Sequence, residues 1–194
     1  MIHKLLKNKK VVLASQSPRR KEVLKMLGVN ALQVPSTVEE DLTLSNPSQL
    51  AMNNAKLKVM DITNKMDREC VVVGADTIVY ANHEILGKPK SIYDGKEQLR
   101  KLSNSFHYVY TGLSVSYRGE NITKFLRTKV IFCELSETEI DDYFMTKEPL
   151  DKAGSYGIQG FGSQFVKKIV GDYFNVMGFP ISLFYEILKD LGVE

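Results

Sequence analysis

The sequence predicts a mixed α/β fold whose central sheet is not purely parallel. Three observations predict it. Val71-Val72-Val73 is a run of β-branched residues suited to a strand buried on both faces. Helix signals alternate with strand signals through the first half of the chain. The second half carries two long strand-like runs, Phe106 to Tyr117 and Ile122 to Cys133, turned by Arg118-Gly119-Glu120-Asn121 into a large antiparallel hairpin.

The elements follow in order. Val11 to Ser15 reads as a short strand, broken by Ser15-Gln16-Ser17-Pro18. A helix then starts with Ser17 as N-cap and Pro18 at its first position, and Gly28 stops it. Arg19-Arg20-Lys21 in its first turn oppose the helix dipole, which favours negative charge there. Free amides beside two guanidiniums suit an oligophosphate; a solvated basic face is the plainer reading of the same residues. Ala31 to Pro35 is a second strand, leading into the acidic run Glu39-Glu40-Asp41. That run is either solvated or the source of a carboxylate that shares a divalent cation with Asp76. Asn46-Pro47 repeats the cap-and-proline signal and opens a helix to about Met66, with Ala51, Ala55, Val59, Ile62 and Met66 on one face. Lys56 and Lys58 fall on different sides of it, so at most one of them faces a site.

The stretch Val71 to Tyr80 is the centre of the reading. Asp76 ends a buried apolar run, where a carboxylate is costly unless it pairs, caps or binds a cation. A turn aspartate and a site carboxylate remain open alternatives at this point. Ile78 to Tyr80 and Glu84 to Leu86 read as a hairpin around Ala81-Asn82-His83, with His83 on the surface. Pro89 holds Lys88 extended, within reach of a phosphate or merely of solvent. Ser91 to Ser103 is a helix. The alternation of Phe106, Tyr108 and Tyr110 changes phase at Thr111-Gly112, which marks a bulge or a close backbone contact. Ser136 and Glu139 form a capping box for a helix ending near Met145. Four glycines between Gly154 and Gly162 suggest a backbone shaped around a ligand, kept ordered by Tyr156, Ile158 and Phe161. Gln159 within it carries an amide able to read a base edge. Phe165 to Val170 is a strand, Asn175 to Pro180 a second shaped loop, and Ile181 to Leu191 the closing helix.

Bulk properties exclude several classes. The 194 residues suffice for one large domain or two closely joined lobes. A hydrophobic fraction of 43% and a charged fraction of 25% are those of a soluble globular protein. A net charge of +3 permits an anionic small molecule but falls short of a dedicated nucleic-acid binder, even with the Arg19-Arg20-Lys21 patch. Cys70 and Cys133 lack zinc-site spacing or a disulfide framework, which fits buried thiols in a reducing compartment. No apolar run has signal-peptide or membrane-spanning length, so a cytoplasmic protein is expected.

Taken together, Ala14-Ser15-Gln16-Ser17-Pro18-Arg19-Arg20, Glu39-Glu40, Gly74-Ala75-Asp76-Thr77-Ile78-Val79, Gly87-Lys88-Pro89, Asp151 through Gly160, Gly171-Asp172-Tyr173 and Asn175 through Pro180 resemble the Maf family of nucleoside triphosphate pyrophosphatases. The matches run from residue 14 to residue 180 in family order. The resemblance implies a single Maf-like domain over residues 1–194 with an inosine triphosphatase-like fold: a twisted mixed sheet, helices on both sides, and two lobes around a cleft. It implies hydrolysis of a nucleoside triphosphate to the monophosphate and pyrophosphate, with Mg2+ or Mn2+ and often as a homodimer. Asp76 matches the catalytic carboxylate, described as proton acceptor, and Glu40 a metal-binding acid. Ser15, Arg19 and Arg20 match phosphate-holding positions, and Lys56 and Lys88 match lysines of the same pocket. Arg19, Thr77 and Gln159 together resemble the subgroup acting on dTTP and UTP, with modified pyrimidine nucleotides as further candidates, rather than the one acting on methylated GTP. An aspartate beside a cation is a weak general base, so metal ligation competes with proton abstraction as the role of Asp76. The rival class is a nucleotide-binding regulator of cell division or septum formation without essential catalysis; the intact acids Glu40 and Asp76 speak against it.

Overall fold

The computed structural model describes residues 1–41 and 43–194. Among them the strands form a seven-stranded mixed sheet, in the order β2-β1-β3-β5-β6-β7, with β4 paired to β3. These strands are Val11–Leu13 (β1), Leu32–Gln33 (β2), Val71–Ala81 (β3), Glu84–Leu86 (β4), Phe106–Tyr117 (β5), Glu120–Phe132 (β6) and Val166–Val170 (β7). The helices are Ile2–Leu5 (α1), Pro18–Met26 (α2), Pro47–Thr63 (α3), Ile92–Leu102 (α4), Glu137–Met145 (α5), Tyr173–Val176 (α6) and Ile181–Asp190 (α7). The chain divides into two compact units. One comprises Met1–Asp76, Thr111–Leu126 and Gly178–Glu194; the other comprises Thr77–Tyr110 and Arg127–Met177.

In the first unit the sheet is parallel where the valine run lies. Val11, Val12 and Leu13 of β1 pair with Val71, Val72 and Val73 of β3, and β2 pairs with the other side of β1. All three valines are buried, as a strand covered on both faces requires. Val59 and Ile62 of α3 pack with Val12, Ala14, Cys70 and Val72 in one apolar cluster. Asn46 caps α3 by accepting from the amides of Ser48 and Gln49, with Pro47 at the first position. The phase change at Gly112 is a close approach: a side chain there would run into the Ala51 carbonyl and the Met52 nitrogen of α3.

In the second unit the strands are antiparallel. Tyr80 of β3 faces Ile85 of β4 across a two-residue turn, Asn82 and His83, both at positive φ. The turn is thus one residue shorter than the sequence suggests, because Ala81 still pairs with Glu84. The long hairpin of β5 and β6, whose turn belongs to the first unit, is tighter too. Only Arg118 (φ 53°) and Gly119 (φ 88°) turn it, and Glu120 and Asn121 already belong to β6. Val79, Leu99, Leu102, Val109, Val130, Phe132, Ile140, Phe144 and Phe165 build this unit's core from β3, α4, β5, β6, α5 and the turn just before β7. Both halves of the Ser136–Glu139 capping box form.

The segment expected as a shaped loop from Asn175 instead begins with the single helical turn α6. Asp172 caps it by accepting from the Asn175 amide, and the buried Asn175 side chain donates to Val109 O and Thr128 Oγ1. The glycine-rich stretch is ordered, containing short 3-10 turns at Glu148–Asp151, Ala153–Ser155 and Phe161–Phe165.

Candidate active site

Asp76 lies on β3 with its side chain 8% exposed, facing α3. Lys58 Nζ donates to Asp76 Oδ1 at 2.6 Å and to Glu40 Oε1 at 2.7 Å, so one ammonium joins both carboxylates. The turn-cap alternative for Asp76 gives way to a paired, buried carboxylate. Asn54, one turn before Lys58, offers its amide to Asp76 Oδ2 at 3.5 Å.

The acidic loop is held against the same helix. Asp61 accepts from the Ser36 hydroxyl and the Thr37 amide. Asn54 Oδ1 accepts from the Asp41 amide at 2.8 Å, and its Nδ2 donates to Asp41 O. Asn54, Lys58 and Asp61 recur at intervals of four and three, a single stripe along α3. That stripe is why exposed Glu40 meets buried Asp76.

The turn after β1 supplies the positive side. Ser15 is buried, and its Oγ accepts from the Ser17 amide at 3.1 Å and from Arg20 Nη1 at 3.1 Å. Ser17 stands at the N-cap of α2 but makes no side-chain cap bond. Gln33 of β2 fixes the turn by donating to Ser15 O. Arg20 Nε donates to Gly178 O at 2.9 Å. Burial pulls the Arg20 guanidinium below its ordinary pKa; Asp76 and Glu40 oppose that pull, and neighbouring Arg19 adds to it. Half-buried Arg19 shares the first turn of α2 with Arg20.

The sequence-predicted residues of the first unit therefore fall into two groups. Ser15, Arg19, Arg20, Glu40 and Asp76 form one hydrogen-bonded or electrostatically coupled set. Lys56 does not join it: its side chain is exposed, and Lys58 is the lysine at the acids. Two residues along a helix is more than half a turn, so the two lysines diverge. Lys58 and Asn54 are the residues sequence reasoning left unassigned. The signal that finds them is the four-residue spacing with buried Leu50, Asn54 and Ile62.

In the second unit, Thr77 follows Asp76 on β3 and is half-buried. Lys88 is exposed just beyond β4, in a segment tied down by the Gly154 amide donating to Gly87 O. Gln159 is exposed between Gly157 and Gly160. The Glu148 carboxylate accepts from the Tyr143 hydroxyl and from the amides of Phe161 and Gly162, which orders this loop.

Among the described residues no three His, Cys, Asp or Glu side chains form a metal cluster. Two carboxylates converging on one cation nevertheless fit a magnesium-like ion, which takes one or two carboxylates and completes its shell with water and substrate phosphates. Also among the described residues, no helix is long and apolar enough to cross a membrane.

A family model described as Maf-like protein matches residues 10–191. A dTTP/UTP pyrophosphatase of Bacillus cereus (strain ATCC 10987 / NRS 248) is 47% identical over 187 residues, covering 96% of this chain and 92% of the relative. One of Bacillus thuringiensis subsp. konkukian (strain 97-27) is 46% identical over 96% of this chain and 97% of its own. Among solved structures, the Ham1 protein of Staphylococcus aureus superposes with a TM-score of 0.52 at 17% identity, covering 94% of this chain and 99% of that one. A HAM1 protein from Coxiella burnetii gives 0.51 at 12% identity, with the same coverage. At such identities these two structures show the fold alone, and it is the inosine triphosphatase-like mixed α/β fold that the sequence led us to expect.

Proposed function

The chain belongs to the Maf family, and from that premise we propose that it is a nucleoside triphosphate pyrophosphatase converting dTTP and UTP to the monophosphate and pyrophosphate. The observation that carries this reading is the joining of Asp76 and Glu40 at Lys58, coupled to Arg20 of the serine turn, in a chain 47% identical to a relative of that name.

The substrate is a polyanion, and the serine turn matches it. Arg20, fixed by Gly178 O and Ser15 Oγ, presents a preorganised guanidinium, with Arg19 beside it in the same helical turn. Lys88 adds a charge held extended before Pro89. Asp76 and Glu40 are the residues that would hold a divalent cation, Mg2+ or Mn2+. When bound, that ion neutralises charge building up on the phosphate oxygens and sharpens a water as nucleophile. Asp76, anchored by Lys58 and Asn54, orients the attacking water at the α-phosphate. Thymine and uracil present two carbonyls around one N–H. The Gln159 amide complements part of that pattern, and Thr77 is the second residue assigned to base choice. Free thiols at Cys70 and Cys133 support work in the reducing cytoplasm.

The test is pyrophosphate release from a panel of nucleoside triphosphates with Mg2+. Release from dTTP and UTP is expected, with kcat lowered about a hundredfold or more in Asp76→Asn. No release from any nucleotide by the wild-type protein would sink the proposal.

A further inference from the structure

We infer that Glu148 is a positioning residue for base choice, a role that rests on the assignment of Gln159 to the base. Glu148 Oε1 accepts from the Tyr143 hydroxyl at 2.9 Å and from the Gly162 amide at 3.1 Å, and its Oε2 accepts from the Phe161 amide at 2.9 Å. The Tyr143 hydroxyl in turn accepts from the Gly157 amide at 3.0 Å. The backbone is therefore held two residues before Gln159 and again two and three residues after it. Exposed Gln159 makes no part of this grip; it is carried by it.

The glycine spacing has the same cause. A Cβ on Gly157 would lie 2.8 Å from Glu148 Oε1, one on Gly160 2.5 Å from Oε2, and one on Gly162 2.6 Å from the Tyr143 hydroxyl. Gly160 also sits at φ 81°, ψ −149°, a conformation open almost only to glycine. The three glycines make room for one carboxylate and its tyrosine. Tyr143 is 3% exposed, and burial drives its phenol pKa upward, so it stays a hydroxyl donor. Three donors converge on Glu148, which calls for a group that only accepts. Glutamine has the same shape but would aim its NH2 at one of those donors.

Glu148→Gln is therefore the diagnostic variant, read in three ways. Its KM for dTTP should rise more than its kcat falls, and the preference for dTTP over dCTP should drop about tenfold. The Phe161 and Gly162 amides should exchange hydrogen about tenfold faster. Because Glu148 acts through Gln159, the double variant with Gln159→Ala should show no further loss of preference beyond Gln159→Ala alone. Wild-type preference in Glu148→Gln, or losses that multiply in the double variant, overturns the inference. Should Glu148→Gln fail to fold, Tyr143→Phe removes only the bridging hydroxyl; unchanged preference and exchange there overturn it equally. If the wild-type protein does not distinguish dTTP from dCTP, the assignment of Gln159 fails instead, while amide exchange still reports whether Glu148 holds the loop.

Discussion

The Lys58 ammonium stands 2.6 Å from Asp76 and 2.7 Å from Glu40, so one cation of α3 closes both the end of a buried strand segment and an acidic loop. Asp76 is nearly enclosed, whereas half of the Glu40 side chain is exposed. The energetic stake lies with Asp76, because a buried carboxylate without its partner bears its full desolvation cost.

Lys58→Met should accordingly lower stability by about 1–3 kcal/mol at neutral pH, below the full cost of breaking a buried pair because Arg20 remains nearby. Adding Asp76→Asn to that variant should recover part of the loss, since the stranded charge is gone. Urea denaturation of the two single variants and the double variant measures this. Strictly additive losses would mean that the pair contributes no coupling.

Gly112→Ala should cost about 3 kcal/mol or more, at the upper end of overpacking, because the obstacle is the backbone of α3 rather than a flexible side chain. Gly87→Ala is the matched control: nothing lies within 4 Å of the place its Cβ would take, so its effect should stay within about 0.5 kcal/mol. Equal urea midpoints for the two variants would contradict the close approach of β5 to α3.

Stability should fall in mild acid through His107. Its ring is fully buried, with Nε2 2.8 Å from the Tyr156 hydroxyl, and burial pulls its pKa from 6.5 down to about 3. The unfolded chain therefore binds a proton between pH 6.5 and 3 that the folded chain refuses, so stability rises with pH across that window. Going from pH 7 to pH 5 should remove about 2 kcal/mol from this group alone. His107→Phe, which keeps a ring beside Phe132, loses the Tyr156 bond but should flatten that slope. An equally steep pH 5 to 7 profile in the variant would exclude His107 as the source.

How much was legible in the sequence depended on whether the cause was local. Asn46 before Pro47, and Ser136 three residues before Glu139, are signals contained within one helical turn, and both caps form. The slip at Thr111-Gly112 left a bulge and a close backbone contact open, and did not point to α3 as the partner, since that depends on packing between residues about sixty apart. Lys58 was hidden for a similar reason: Lys56 and Lys58 look alike in sequence, and only the docking of α3 decides which one reaches Asp76. Glu148 carried no signal in the sequence, because its two amide donors come from a loop more than ten residues later. The one turn at Tyr173–Val176 was missed because Gly178 and Pro180 pointed to a loop, while Asp172 caps the turn just ahead of them.

The two ends of the sheet have a consequence for the protein in concentrated solution. An open strand edge is a template on which another chain can add itself. At one end stands β2, only two residues long, which offers almost nothing to pair with. At the other stands β7, where Lys167 and Lys168 are both exposed in the middle of a five-residue strand. A foreign strand laid along β7 would have to crowd two ammonium groups, so these two edges are guarded against edge-to-edge aggregation, β2 by brevity and β7 by charge.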